Sequence, residues 1–262
     1  MNHTFIIAEI GVNHNADLSL AYRLIDEAAA TGADAVKFQA AIPELVATQY
    51  AQKAGYQKKV MALDESQLDM IKKLHFPLEV FKEIKGYCDA KDIMFFSSAF
   101  DLTSLKFLED LGQKYHKIPS GEITNMPFLR QIGGYGRPVI LSTGMSDLGD
   151  IEKALEVLTE AGTALDLITV LQCNTEYPTP MVDVNLRAME SIRGAFGVSV
   201  GFSDHTEGIE AVIAAVAMGA TMIEKHFTVD RRLPGPDQLA SLEPVEFSSM
   251  VAAVRNIELA LG

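Results

Sequence analysis

Eight short runs of β-branched and aromatic residues recur along the 262 residues, each followed by a helical stretch. This alternation constrains the fold more than any other feature of the chain. The runs are FIIAEIG (5–11), AVKFQ (35–39), IMFFSS (93–98), HKIPSG (116–121), PVILSTG (138–144), LITVLQC (167–173), VSVGFSD (198–204) and TMIEKHFT (221–228). Between them lie amphipathic patterns such as LSLAYRLIDEAAATGA, DIEKALEVLTEAG and IEAVIAAVAMGA, and VEFSSMVAAVRNIELALG closes the chain. TGADAVKF (31–38) and MGATMIEKHF (218–227) each place a glycine where a helix stops and a strand starts, a helix C-cap signature. Eight strand-helix units in about 250 residues predict one (β/α)8 TIM barrel of the α/β class, a single domain over 1–262. A doubly wound open sheet is the alternative, but GVNHN follows the first strand where that fold carries a G-x-G-x-x-G phosphate loop.

Composition narrows the classes of partner. With 48% hydrophobic and 22% charged residues, the chain can bury a large core. A net charge of -13 argues against nucleic acid or an acidic membrane surface as partner, since both are held by basic patches. An anion bound here must therefore meet locally concentrated lysines. Cys88 and Cys173 lie far apart without metal-type spacing, so no disulfide framework is expected. No segment approaches the roughly 20 apolar residues of a membrane helix, and MNHTFIIAEIG has neither a basic start nor a small-residue cleavage site. The expectation is a cytoplasmic protein.

In a (β/α)8 barrel the chemistry sits at the C-terminal ends of the strands, and here nearly every strand ends in polar residues. Strand one leads to Glu9, Asn13 and His14, strand two carries Lys37 and Gln39, and strand three carries Ser97 and Ser98. Strand four offers Lys117, Ser120 and Glu122, strand five Ser142 and Thr143, and strand six Asn174, Thr175 and Tyr177. Ser203 and His205 end strand seven; Glu224, Lys225 and His226 end strand eight. Side chains alternate faces, so Lys37 points with Gln39, and Ser203 with His205. Lys117 and Ser120 differ in parity, which requires a bulge or a strand end at Pro119.

Each of these residues has a structural reading beside a chemical one. His205 and His226, one βα unit apart, either cap and fill the rim or bind a first-row divalent metal with several positions open. Lys37 and Lys117 either snorkel to the rim or hold an anion. Glu9 is a structural partner for one of them or part of the site. Ser142-Thr143-Gly144 and Ser146-Asp147 carry a helix-capping reading, and His3, His75 and His116 are read as surface or structural. Taken together, two lysines and several hydroxyls make a phosphate site, and two histidines make a metal site beside it. That pairing suggests a phosphorylated substrate activated next to a Lewis acid. Within GFSDHTEG (201–208), Asp204 and Glu207 are candidates for orienting their neighbours, Glu207 alternatively for favouring the next helix N-terminus.

The motifs AEIGVNHN (8–15), VKFQ (36–39), KIPSGE (117–122), ILSTGM (140–145), YPTP (177–180), GFSDHT (201–206), EKHFT (224–228) and PGPD (234–237) occur in one order. As a set they resemble the sialic acid synthase family, enzymes that condense phosphoenolpyruvate with an N-acetylated mannose-type sugar. The resemblance implies that His205 and His226 bind a divalent metal, manganese first and magnesium or cobalt as alternatives, which polarises the sugar aldehyde. It implies that Lys37, Ser98, Lys117, Ser120, Ser142 and Ser203, with Asn174 and Thr175, hold phosphoenolpyruvate. Glu9, Gln39, Tyr177 and Asp237 would bind the sugar, and Glu122 would handle the proton of the attacking water. Lys117 joins Glu122 and the two histidines in the implied catalytic set. Carbon 3 of phosphoenolpyruvate then attacks the aldehyde, water traps the cation at carbon 2, and phosphate leaves by C–O cleavage.

Three departures stand out. Ser98-Ala99 replaces the Thr-Pro of many members, keeping a hydroxyl, and Thr175 stands where some members have an asparagine. The family usually continues into a small antifreeze-like domain that lends an arginine to the neighbour's sugar site in a swapped dimer. This chain stops at Gly262, about where the linker to that domain would begin. Either the sequence is a piece of a longer one or the protein does without the domain, and the barrel over 1–262 is expected to form a homodimer weakened by its absence. The long segment of about 40–66, including QKAGYQKK, exceeds an ordinary βα loop and is expected to cover the sugar. That segment and IPSGEITN resemble legionaminate synthases, which use a 2,4-diacetamido-trideoxy sugar, more than enzymes using N-acetylmannosamine. Two further readings are a Schiff-base aldolase using Lys37, Lys117 or Lys225, and a catalytically silent sugar-binding barrel.

Overall fold

The structure is a computed structural model and describes residues 3–55, 57–60 and 65–262, with the side chains of Lys59 and Val60 left aside. The chain runs β1 (Phe5–Gly11), α1 (Leu18–Ala30), β2 (Ala35–Ala40), α2 (Pro43–Val46), α3 (Gln57–Val60), α4 (Gln67–Leu74) and α5 (Val80–Ala90). It continues through β3 (Met94–Ala99), α6 (Leu102–Asp110), β4 (His116–Ile118), α7 (Met126–Gly134), β5 (Val139–Ser142) and α8 (Leu148–Ala161). The remaining elements are β6 (Ile168–Cys173), α9 (Ala188–Phe196), β7 (Ser199–Asp204), α10 (Glu210–Ala217), β8 (Met222–His226) and α11 (Pro244–Leu261). The strands close into one barrel in chain order, β1 pairing in parallel with both β2 and β8. The expected (β/α)8 barrel is what forms.

Local chemistry fixes where the elements begin and end. Asp17, Asp101, Asn125 and Asp147 cap α1, α6, α7 and α8 through side-chain oxygens that accept backbone N–H groups. Asp147 is therefore a cap as read, whereas Ser142 ends β5 and does not cap. Gly32 and Gly219 follow α1 and α10 at φ +84° and +88°, the left-handed conformation that lets a helix turn back into a strand. The fourth strand stops at Ile118, so Pro119 marks the strand end that resolves the parity of Lys117 and Ser120.

Two layers of apolar residues sandwich the strands. The outward-facing set, including Ile6, Val36, Phe38, Val170 and Val200, meets the helix layer in the main core. The inward set, Ile7, Ala35, Phe96, Ile140, Leu171 and Met222, plugs the barrel interior. Two residues further along the same strands stand Glu9, Lys37, Ser98, Ser142, Cys173 and Glu224. The period of two thus lifts polar groups onto an apolar floor. Gly201, two residues before Ser203, has no room for a side chain, because a Cβ would collide with the Met222 carbonyl and the Leu171 side chain.

His14 packs against the segment between α4 and α5 and is not among the residues lining the barrel mouth. Its ring stacks on Phe76 at 4.2 Å between centroids, and its Nδ1 accepts the Ala16 N–H at 3.0 Å. Burial, reinforced by His75, brings its pKa down to about 3 from 6.5. Because the folded value is depressed, the unfolded chain takes up the proton first as pH falls below 6.5. Stability is therefore full above that pH and is lost as pH falls toward the folded value. At pH 5 this one group removes about 2 kcal/mol. Urea melts at pH 8 and pH 5 should show that difference shrinking by this amount in His14→Phe; equal pH dependence in the two proteins would refute it.

Candidate active site

Parallel registers set the polar residues side by side above the floor. Glu9 lies opposite Lys37 on one side and His226 on the other, Ser98 lies opposite Lys117 and Gln39, and Ser203 lies opposite Glu224. They open into a cavity of about 420 Å³ at the C-terminal end of the barrel, within the range of small-molecule sites. Lys37, Ser98, Lys117, Ser120, Ser142 and Ser203 all line it, as do Thr175, His205 and His226. Glu9, Gln39, Tyr177 and Asp237 line it as well.

Two predicted residues are not among those lining the cavity. Glu122 follows the end of β4 in a 3-10 turn, where its carboxylate accepts the Asn125 side-chain N–H at 2.6 Å. The family resemblance implied a place for it near the reacting atoms, but the chain has already left the strand at Ile118, and the carboxylate bonds Asn125 at the start of α7. Asn174 also does not line the cavity, because its Nδ2 donates to the Asp183 carbonyl at 2.6 Å. Its own carbonyl instead accepts the His205 Nδ1–H. Lys225, nominated as a nucleophile, points away: it is fully buried against Asp204 at 2.6 Å and also donates to the Thr206 carbonyl at 2.6 Å. Glu207 is exposed, three residues ahead of α10, and orients no neighbour among the hydrogen bonds of the described residues.

One wall concentrates positive charge. Lys37 Nζ lies 2.8 Å from Glu9 and 3.7 Å from Glu224, and donates to Ser98 Oγ at 3.2 Å. Lys117 Nζ lies 3.5 Å from Glu224. Burial works against the charge on Lys37, yet Glu224 and Glu9 together hold its ammonium above the ordinary lysine range. Burial dominates at Lys117 and lowers its pKa, Lys37 adding to the effect. Burial also opposes ionisation of Glu224, but Lys117, Lys37 and the Ser203 hydroxyl bring it down to about 2. Glu224, one of the polar residues expected at the end of strand eight, has no role assigned to it from the sequence. Its parity with His226 marks it as inward-facing and could have found it. Ser142 Oγ is buried with no hydrogen-bond partner among the described residues, a hydroxyl left for a ligand.

His205 follows β7 and His226 ends β8. Their ring centroids are 5.4 Å apart, and Tyr177 stacks on His205 at 4.1 Å. Burial brings the His205 pKa to about 4 and drives that of His226 well below the usual range, His205 and Lys37 adding to the second effect. Both rings are therefore neutral at pH 7. The Asn174 carbonyl accepts the Nδ1–H of His205, which leaves Nε2 with a lone pair, and His226 Nδ1 is buried without a hydrogen-bond partner among the described residues. Neutral imidazoles with free lone pairs suit a divalent ion. No group of three or more metal-binding side chains occurs among the described residues. An ion held by these two would keep its other positions for water or substrate, as the sequence reading expected. Asp237 completes the site: burial, with Glu9 adding to it, raises its pKa to about 7.

The segment after β2 forms the cavity's outer wall through Ala41, Val46, Ala54, Gln57 and the inner face of α4, in keeping with a cover over the site. Of the expected cover 40–66, Tyr56 and residues 61–64 lie outside the described residues. His75 also lines the cavity, so it is not a surface residue. His3 bonds Asp34 on the surface, and His116 bonds Glu109 and stacks on Tyr135, both structural as read.

A closed (β/α)8 barrel with cations, hydroxyls and neutral imidazoles converging at one mouth has the build of an enzyme active site. Residues 24–262 match the NeuB family model, and the chain is an enzyme of the NeuB family, in accord with the sialic acid synthase motifs. It is 51% identical to an N,N'-diacetyllegionaminic acid synthase of Campylobacter jejuni subsp. jejuni over 100% of this chain and 78% of the relative. It is 34% identical to the human N-acetylneuraminate-9-phosphate synthase over 98% of this chain and 71% of that protein. Among solved structures, it superposes with a TM-score of 0.87 on an N-acetylneuraminic acid synthetase from Leptospira borgpetersenii serovar Hardjo-bovis in complex with citrate. That pair shares 35% identity, over 100% of this chain and 86% of the other. No helix among the described residues is long and apolar enough to cross a membrane.

Proposed function

We propose that the enzyme condenses phosphoenolpyruvate with an N-acetylated mannose-type aldose to give a nine-carbon 2-keto sugar acid and phosphate. The observation that carries this reading is the convergence in one cavity of two buried lysines, four serines and two neutral imidazoles. Lys37 and Lys117 offset the charge of the phosphate and carboxylate, and Ser98, Ser120, Ser142 and Ser203 supply hydroxyls to their oxygens. Held in place, carbon 3 of phosphoenolpyruvate forms the bond to the aldehyde carbon. Water adds at carbon 2, and the tetrahedral intermediate breaks its C–O bond to release phosphate. Glu9, Gln39 and Tyr177 orient the sugar. Asp237, with a pKa of about 7, exchanges a proton near neutrality and can donate it to the former aldehyde oxygen. His205 and His226 would hold a divalent ion, manganese first, which when bound supplies Lewis-acid polarisation of the aldehyde.

The depressed pKa of Lys117 supports a second reading, a Schiff-base aldolase. Lys225 is excluded from it by position, and Lys37 by its tie to Glu9.

Phosphate release from phosphoenolpyruvate, measured with N-acetylmannosamine and with 2,4-diacetamido-2,4,6-trideoxymannose, each with manganese or with chelator, tests the assignment. The expected result is manganese-dependent release with at least one sugar, reduced to background in His205→Ala. Undiminished turnover in chelator, with borohydride trapping at Lys117, would replace the first reading by the second. Sugar binding without release would leave only a binding barrel.

A further inference from the structure

Helix α4 has an unusual allocation of its faces. Gln67, Met70, Ile71 and Leu74 occupy positions i, i+3, i+4 and i+7, one stripe of the helix, and all four line the cavity. The three apolar members form a cluster with Val12 that stands apart from the main core. The stripe thus faces the cavity, and Val46 of α2 extends it. At its polar end, the Gln67 side-chain oxygen is buried with no hydrogen-bond partner among the described residues. A buried amide without a partner beside an apolar strip is complementary to a ligand presenting an amide and methyl groups.

The position of α4 says which end of the substrate meets it. It follows β2, three strands round the closed barrel from β7 and two from β8, which lead to His205 and His226 at the rim. On the synthase reading, which this inference rests on, the aldehyde lies at the histidines and the sugar's distal carbons reach toward α4. We propose that α4 is the specificity wall of the enzyme, selecting an aldose with a second acetamido group and a deoxygenated terminus over a fully hydroxylated one. Gln67 takes the distal acetamido amide, and Met70, Ile71 and Leu74 take its methyl and the carbon 6 methyl. N-Acetylmannosamine instead lacks the distal methyl groups that fill the strip and brings a hydroxyl at carbon 6, which Met70, Ile71 and Leu74 strip of water without offering a partner.

The test compares kcat/KM for 2,4-diacetamido-2,4,6-trideoxymannose and for N-acetylmannosamine in the unaltered enzyme, in Gln67→Leu and in Leu74→Asn. Gln67→Leu keeps the volume and removes the amide; Leu74→Asn makes the strip polar at the other end. The unaltered enzyme should prefer the diacetamido sugar. Each variant should lower the ratio of the two kcat/KM values by about tenfold or more, through KM for the sugar, with KM for phosphoenolpyruvate within about twofold. A helix that only supports the fold would shift both sugars and phosphoenolpyruvate together. Ratios unchanged in both variants while phosphate release persists would overturn the role of α4 and leave the synthase reading intact. Calorimetry with the diacetamido sugar separates the other case, since absence of binding to the unaltered protein would overturn both.

Discussion

Asp204→Ala lowers the stability of the barrel by about 3–5 kcal/mol, the expected cost of leaving a buried charge without its partner. Lys225 and Asp204 are both fully buried and 2.6 Å apart. With the carboxylate gone, the ammonium keeps only the Thr206 carbonyl. Burial already depresses the pKa of Lys225, with Asp204 opposing that shift, so the variant pushes the amine further toward its neutral form. Asp204 also accepts the Thr206 N–H at 2.9 Å, which fixes the backbone around His205. The double variant Asp204→Ala, Lys225→Met should recover most of the lost stability, because it removes the charge itself. Thermal melts of the three proteins decide this. If the double variant is no more stable than Asp204→Ala, the loss comes from packing, not charge.

Lys117→Met weakens phosphoenolpyruvate binding by about 10²-fold or more. Lys37 and Lys117 are the lysines lining the cavity among the described residues, and the other formally charged groups there are the carboxylates Glu9, Glu224 and Asp237. Removing Lys117 subtracts a charge-assisted contact and also leaves Glu224 facing the incoming anion with one counter-charge fewer. Methionine preserves the volume, so the effect is electrostatic. Titration calorimetry with phosphoenolpyruvate measures it, and a manganese titration serves as the internal control, since on the proposed reading His205 and His226 would hold the ion. Phosphoenolpyruvate affinity within twofold of the unaltered protein would take Lys117 out of the anion site.

Glu122 and Glu224 show where reading the sequence succeeds and where it stops. Glu122 lies in a motif that resembles a known active site, yet the chain leaves β4 too early for its carboxylate to line the cavity. Glu224 drew no assignment and lies between the two lysines. Alternation along β8 carried enough information to turn Glu224 and His226 inward and Lys225 outward. Only the neighbouring strands reveal the consequence, because the partners of Glu224 come from β2, β4 and β7. Asn174 is a similar case, since a backbone carbonyl that fixes the His205 tautomer leaves no mark in residue identity.

The chain by itself determined the eight strands, the helices and their caps, the glycines at helix ends, the (β/α)8 class and the rim that carries the chemistry. All of these follow from local periods, turn preferences and cap chemistry, which act over a few residues. Tertiary structure alone decided which polar groups meet across strands, which lysines become ionic partners rather than nucleophiles, and that one face of α4 looks into the cavity. Those outcomes depend on register, barrel closure and burial among residues distant in sequence.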